Sequence, residues 1–395
     1  MSRTISFFVV VLLALIVVRS EYVETHAVVN TTVTFDKEIS RILRKRCLAC
    51  HSDRNIGIPM TSYEETRPWA GSIQLEVLAK HMPPWRAVAG YGDFVNDSAL
   101  TTKELQFITA WIEGNGPKTK LERVVINVEQ NETPESERLK IDFATWVHGK
   151  PDLAAVLPTA MVEPGSGDTT RPVEIALDTR GERWVRAFEF KPADRRVVRA
   201  ATFYIKETGQ WLGSWTPWFG MMEWPEGAAV RIPAGAHIVA DVAYRSTEEP
   251  VAAAGRLGLY YTKAPVMPVT DVVLEAVSKP TPHMTTGMSS TVARLGASTS
   301  LPPGTKIQAF WPELTPDVSS VTVSLKTPDG RLQVLLLVRD VIPEWPTPYI
   351  LRQPLTVKDG GELSVAYGLN AAPSADVSRL KFTVSTLPPA APARR

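Results

Sequence analysis

The chain has 395 residues but only two cysteines, Cys47 and Cys50, and His51 follows the second at once. Thiols at this spacing on one helical turn are placed to add to the two vinyl groups of a porphyrin. The next residue then sets an imidazole beneath the iron. The same dithiol could be a redox pair, but such pairs sit in a βαβ setting and none precedes it. It could be half of a zinc site, but zinc needs further Cys or His close by, and there is no third cysteine. The expectation is one covalently attached haem c, with Cys47 and Cys50 as thioether anchors and His51 as the proximal axial ligand. For the distal position the segment Leu75 to Trp85 (LEVLAKHMPPW) is read as a helix running into Met82-Pro83-Pro84. Two prolines stiffen the chain just after the methionine, so the Met82 sulfur can be presented from a fixed loop. His81 is the next candidate and Met60 follows; packing in a core is the commoner fate of a methionine. A His/Met pair fills both axial positions and raises the potential, which suits electron transfer and not oxygen binding.

Elements must position these groups. Phe35 to Arg46 (FDKEISRILRKR) has Ile39, Ile42 and Leu43 at helical spacing and leads into Cys47, and Thr34 or Asp36 can cap its start. Downstream, Thr101-Thr102-Lys103-Glu104 has capping-box spacing. Leu105, Ile108 and Ile112 form one stripe, with Phe107 and Trp111 beside it, and Gly114, Gly116 and Pro117 end that helix. Helix, haem motif, methionine loop and closing helix, in that order, resemble the cytochrome c fold over residues 34–117.

Near the start, Ile5 to Val18 is an apolar run behind Arg3, interrupted only by Ser6. Its length suits an export signal and is short for a membrane span, although the small-residue cleavage pattern is poor. Residues 1–20 are therefore expected to be a signal peptide, with a retained membrane anchor as the alternative. The location expected is periplasmic or otherwise extracytoplasmic. A formal net charge of +1 gives no basic field for nucleic acid. Apolar content of 44% with 22% charged residues indicates packed cores, and 32 prolines point to loop-rich β structure after the helices.

From about Lys118 the pattern alternates. Residues 173–177, 185–190, 237–244, 257–261, 321–325 and 363–367 read as strands, separated by turns at Asp194-Arg195, Pro233-Ala234-Gly235, Thr327-Pro328-Asp329-Gly330 and Asp359-Gly360-Gly361. The fold class expected is multidomain α + β: an all-α cytochrome c domain, then two antiparallel β-sandwich domains at 118–265 and 266–388. Gly149-Lys150-Pro151-Asp152, Arg183-Trp184-Val185-Arg186-Ala187, Arg195-Arg196-Val197-Val198, Pro225-Glu226-Gly227 and Arg231-Ile232-Pro233-Ala234-Gly235 are similar to the N-terminal catalytic domain of copper type II, ascorbate-dependent monooxygenases. Thr327 to Gly330, Asp340, Glu344-Trp345 and Tyr349 resemble the C-terminal domain of that family, in patches over residues 145–370.

That resemblance implies copper held by imidazoles, and here the chain departs from it. Arg199-Ala200 stands where a His-His pair is implied, Ala243-Tyr244-Arg245 where a His-x-His is implied, and Trp311-Pro312-Glu313-Leu314 where a further histidine pattern is implied. Only His148, His237 and His283 lie beyond residue 118. His148 and His237 read as surface or hydrogen-bonded residues. His283-Met284 with Met288 is at most a weak Cu(I) site. Copper is not expected, nor are catalytic residues. The alternative is a copper- and haem-dependent monooxygenase with an unrecognised metal site. The cluster Trp211, Trp215, Trp218, Trp224, Phe219, Met221 and Met222 reads as sandwich core or covered loop, or else as a binding face for a partner or sugar. The function expected is single-electron exchange with a redox partner protein, the β-sandwiches serving for docking.

Overall fold

The computed structural model describes residues 31–119, 138–263, 267–278, 294–370 and 377–389. The apolar run at 5–18 and the group His283, Met284 and Met288 lie outside these residues. The architecture is mixed α + β: a short helical part followed by β-sheet units.

In the helical part a π-helical turn, Phe35–Ile39, runs into α1 (Ser40–Arg46). Then come α2 (Leu48–His51), α3 (Tyr63–Thr66), α4 (Ala70–Leu78) and α5 (Thr102–Glu113). The apolar stripe of α1 is buried through Ile39, Ile42 and Leu43, against Ile108 and Trp111 of α5 and Val77 of α4. The capping box of α5 forms as its spacing predicts. Thr101 Oγ1 accepts the Glu104 N–H at 3.1 Å, and the Glu104 carboxylate accepts the Thr101 N–H at 2.8 Å. The ends of the part meet where Phe35 N–H donates to the Pro117 carbonyl at 2.9 Å.

Two expectations change. Thr34 does not cap the first helix through its side chain; the Glu38 carboxylate reaches back instead to accept the Thr34 N–H at 3.0 Å. The helix expected from Leu75 to Trp85 begins earlier, at Ala70, and stops at Leu78. Lys80 takes a left-handed φ of 58°, and the ring of Pro83 disfavours the α region at Met82. The His81 and Met82 amides both turn back to the Glu76 carbonyl, at 2.9 and 3.2 Å.

The first β unit holds β1 (Leu153–Val162), β2 (Thr169–Ala176), β3 (Arg183–Pro192), β4 (Val198–Ile205), β5 (Trp211–Trp215), β6 (Met221–Glu223), β7 (Ala228–Ile232), β8 (His237–Tyr244), β9 (Val251–Thr262) and β10 (Met267–Pro268). One sheet runs β1-β9-β3-β7-β10 with β6 also paired to β3; the other runs β2-β8-β4-β5. Both sheets bury their alternating apolar residues in one core that includes Phe188, Phe190, Phe203, Trp211 and Trp215.

In the second unit two four-stranded faces are joined into one sheet at a short corner, where Val277 and Ser278 pair with Gly296 and Leu295. Its strands are β11 (Thr270–Ser278), β12 (Arg294–Leu301), β13 (Thr305–Pro312), β14 (Val318–Lys326), β15 (Leu332–Arg339), β16 (Tyr349–Val357), β17 (Gly361–Leu369) and β18 (Arg379–Leu387). They bond into one eight-stranded sheet in the order β15-β14-β17-β12-β11-β18-β13-β16, a curled antiparallel half-barrel. Open edges of such a sheet leave unpaired amides and carbonyls. Here both edges are bonded by one segment that belongs by sequence to the helical part. Val88 N–H donates to the Leu337 carbonyl on β15, and Val95 N–H to the Ile350 carbonyl on β16, each at 2.8 Å. Trp85 and Phe94 enter the half-barrel's core with Tyr349. Between them Gly92 has a φ of 90°, and an added Cβ would lie 2.4 Å from the Phe94 ring, so only glycine fits.

Candidate functional site

In the cysteine motif, Cys50 N–H and His51 N–H both donate to the Cys47 carbonyl, at 3.0 and 2.9 Å. This single turn puts positions 47 and 51 on one face, and both side chains line one cavity. The cavity measures about 270 Å3 and opens to solvent. Its walls are Ile39, Ile42 and Leu43 of α1, Ile73 and Val77 of α4, and Ile108 and Trp111 of α5, with Trp69 at 45% exposure. Met60 and Met82 also line it. Met60 is 7% exposed and Met82 38%. His81 is not among the lining residues; its Nδ1 lies 3.2 Å from a Glu76 carboxylate oxygen at the surface. Cys50 does not line the cavity either and lies on the Arg195 side.

The imidazole of His51 is fixed in tautomer. Its Nδ1 is 2.9 Å from the Ile58 carbonyl, and a carbonyl only accepts, so Nδ1 carries the hydrogen. In the neutral ring the lone pair is then on Nε2, and a ligating histidine is oriented by the same kind of bond. Burial lowers the pKa of His51 and outweighs the opposing bond to Ile58, which favours the neutral ring. Gly57 allows the approach: a Cβ there would lie 2.7 Å from both Cε1 and Nδ1 of His51. Burial, and then the neighbouring Cys50, push the Cys47 thiol up to about 12; burial pushes Cys50 up to about 12 as well, against the nearby Arg195. A redox dithiol works through a thiolate stabilised near neutral pH, and these surroundings do the reverse. The two sulfurs are not joined as a cystine. Among the described residues no group of three or more His, Cys, Asp or Glu is placed to hold a metal ion.

The motif is fastened from two sides. Within the helical part, the Arg46 Nε–H donates to both carboxylate oxygens of Glu104, at 3.2 and 3.1 Å, tying the chain before Cys47 to the start of α5. From the first β unit, Arg195 donates to the Ala49 carbonyl at 2.9 Å and to Pro217 at 3.0 Å, with its guanidinium 3.8 Å from the Phe143 ring centre and 5.3 Å from that of Trp215. Arg245 donates to the Ile56 carbonyl at 2.8 Å. The sequence marked Arg195 only as part of a turn and of a family-like segment, and Arg245 only as a departure from a histidine pattern; nothing local reveals carbonyls 146 and 189 positions away as their partners.

The remaining sequence candidates are placed elsewhere. Arg199 pairs with Asp168 at 2.8 Å and lies over the Trp345 ring at 5.3 Å. His237 begins β8 with its Nδ1 2.9 Å from Glu207, and His148 packs edge-on against Tyr260. Trp211, Trp215 and Trp224 are core residues, while the half-buried Trp218 packs against Trp345 at 5.4 Å.

No family model matches the chain, and no curated protein does. Among solved structures, the major capsid protein P2 of bacteriophage PM2 aligns over 60% of this chain and 99% of its own at 9% identity, with a TM-score of 0.25. The isomalto-dextranase of Arthrobacter globiformis aligns over 58% of this chain and 36% of its own at 13% identity and a TM-score of 0.18. Likenesses this slight carry no argument about what the site does, which has to be argued from the residues around the cavity.

Proposed function

We propose that the chain is an extracytoplasmic mono-haem c-type cytochrome that transfers single electrons. Cys47 and Cys50 are its thioether anchors, His51 the proximal ligand and Met82 the distal one. The observation that carries this reading is the convergence of Cys47, His51 and Met82 on one apolar-walled cavity, with the His51 ring held so that Nε2 is its free nitrogen. The cavity lining fits the group in one thiol (Cys47), an imidazole of fixed tautomer, a thioether and aliphatic walls for a flat apolar macrocycle, while the second thiol, Cys50, stands one turn away on the Arg195 side. A haem held there by Cys47, Cys50, His51 and Met82 would supply one-electron chemistry, and an imidazole with a thioether would favour electron transfer over oxygen binding. The chain's part is to hold His51 through the Ile58 carbonyl, to keep water from most of the cavity through Ile39, Ile42 and Val77, and to leave an apolar rim at Trp69, Ile58 and Met82 where a redox partner can approach.

Met60 is a second reading for the distal ligand, because it lines the same cavity. On this proposal the helical part is a cytochrome c domain and the β units are a monooxygenase-like pair serving as scaffold and docking surface. That role for the β units is supported by Arg199 and Arg245, which stand where imidazoles are implied and are engaged with protein groups. Haem should remain with the wild-type chain after denaturation and be lost from a Cys47→Ala, Cys50→Ala variant; haem retained by that variant refutes the reading. Loss of the far-red thioether-to-iron band in Met82→Ala but not in Met60→Ala would separate the two methionines. Two tightly bound coppers per chain would overturn the scaffold role.

A further inference from the structure

Met82 is three residues from Trp85, and these two residues belong to different bodies of the fold. Met82 lines the cavity of the helical part. Trp85 is 6% exposed in the core of the half-barrel, its ring 5.3 Å from Tyr349 and 5.9 Å from Phe94. The chain continues from Trp85 as the segment bonded to both sheet edges: Arg339 N–H donates to the Arg86 carbonyl at 3.2 Å and Arg352 N–H to the Asp93 carbonyl at 2.9 Å. Asn96 then donates to the Pro348 carbonyl at 2.6 Å. Before Met82, the end of α4 is a turn in which the Met82 amide reaches the Glu76 carbonyl at 3.2 Å. The link between the two anchors is Pro83-Pro84, whose fixed φ angles leave little slack to absorb a displacement.

From this geometry we infer that Trp85 is the positioning residue of the distal ligand, and that the half-barrel sets the placement of the Met82 sulfur over the cavity. The inference rests on the reading of Met82 as an axial ligand and gives the second β unit a task the sequence does not suggest. The loop holding His51 is fastened by Arg195 and Arg245 of the first β unit, so each axial ligand is referred to a different β unit. The distance between the two ligands is then set by how the β units pack, through contacts such as Trp211 stacked on Trp311 at 5.7 Å. Met82 itself is 38% exposed, so its own burial contributes little to holding it, and the anchor downstream has to do so.

The test uses the full-length haem-loaded protein and reads the far-red thioether band, the reduction potential and amide exchange at His81 and Met82. Trp85→Ala removes the anchor. Tyr349→Leu, a milder change on β16, loosens it from outside the helical part. Leu363→Ala, in the same core on β17, is the control for general destabilisation. At unchanged covalent haem content, both anchor variants should lose more than half of the band, show a lower potential and exchange the two amides at least tenfold faster, while the control matches wild type. Wild-type band and potential in either folded anchor variant would overturn the inference, as would an equal loss in the control. If the wild-type protein carries no covalent haem, the proposed function itself fails; if it carries haem without the band, the Met82 assignment fails and this inference with it.

Discussion

Asp271 on β11 is a half-buried carboxylate at the contact of the two β units, and its titration yields a test with a definite sign. Its two oxygens accept the Trp211 N–H and the Ser385 hydroxyl, each at 2.7 Å. Burial is the leading influence and outweighs both hydrogen bonds, pushing the carboxyl from 3.8 up to about 6. No basic side chain contributes to that balance. Between these two values the folded protein keeps a proton that the unfolded chain has released, so stability falls as pH rises through that window. The stabilising contribution of the neutral acid is complete below pH 3.8 and gone above the folded value. At about 1.4 kcal/mol per unit, the gap corresponds to about 2–3 kcal/mol. Asp271→Asn removes the ionisation and keeps an acceptor for Trp211 and a polar group for Ser385. The variant should exceed wild type by about 2–3 kcal/mol at pH 8 and match it near pH 4. Urea unfolding of the β units, followed by tryptophan fluorescence at both pH values, measures this. An equal difference at the two pH values, or a variant less stable at pH 8, would refute the reasoning.

Two further outcomes concern the Cys47-to-His51 motif. Gly57→Ala places a methyl group 2.7 Å from the His51 ring; the ring has to give, with a stability loss of about 1–3 kcal/mol and a shifted His51 ring resonance in NMR spectra, whereas Gly71→Ala, which meets nothing within 4 Å, should cost nothing. Arg195→Lys keeps the charge and a terminal nitrogen like the Nη2 that serves both the Ala49 and Pro217 carbonyls, but loses the flat guanidinium between the Phe143 and Trp215 rings; chemical denaturation should show a loss of about 1 kcal/mol, and full retention of stability would mean that charge and the two carbonyl bonds, not the stacked planar group, hold the motif to the first β unit.

The sequence made the local parts of this molecule readable. The Thr101–Glu104 capping box, the stripe of α1 and the strand at 237–244 form where spacing predicts them, because each depends on neighbours within a few residues. Cys47 and His51 were legible for the same reason: one helical turn suffices to set them side by side. What could not be read is long-range. Trp85 looks like the end of a methionine loop until β16, more than 260 positions later, supplies Tyr349. That the two faces of the second unit join into one curled sheet was not legible, because alternation reports which face of a strand is buried and says nothing about how far a sheet curls before its edges meet another segment. Arg195 and Arg245 were invisible as clamps because their acceptors are main-chain carbonyls, which carry no sequence signature.

Those arginines also bear on whether this scaffold could hold copper where the monooxygenase resemblance implies it. Val198 and Ala200 on β4 pair with Tyr244 and Ala243 on β8, so positions 199, 200, 243 and 245, which the resemblance divides between two copper sites, meet at one corner of the sheet. Yet two of the four are cations. Arg199 is paired with Asp168 and covered by Trp345, and Arg245 extends to the Ile56 carbonyl beside the Cys47-to-His51 motif. A guanidinium cannot ligate at neutral pH and repels a metal cation. Replacing Arg245 by histidine would remove that repulsion, but a shorter side chain would also give up the bond to Ile56, two residues from the carbonyl that orients His51. Holding copper at this corner of the sheet and holding the His51 loop against it thus place opposed demands on one position, and the arginine found there serves the second.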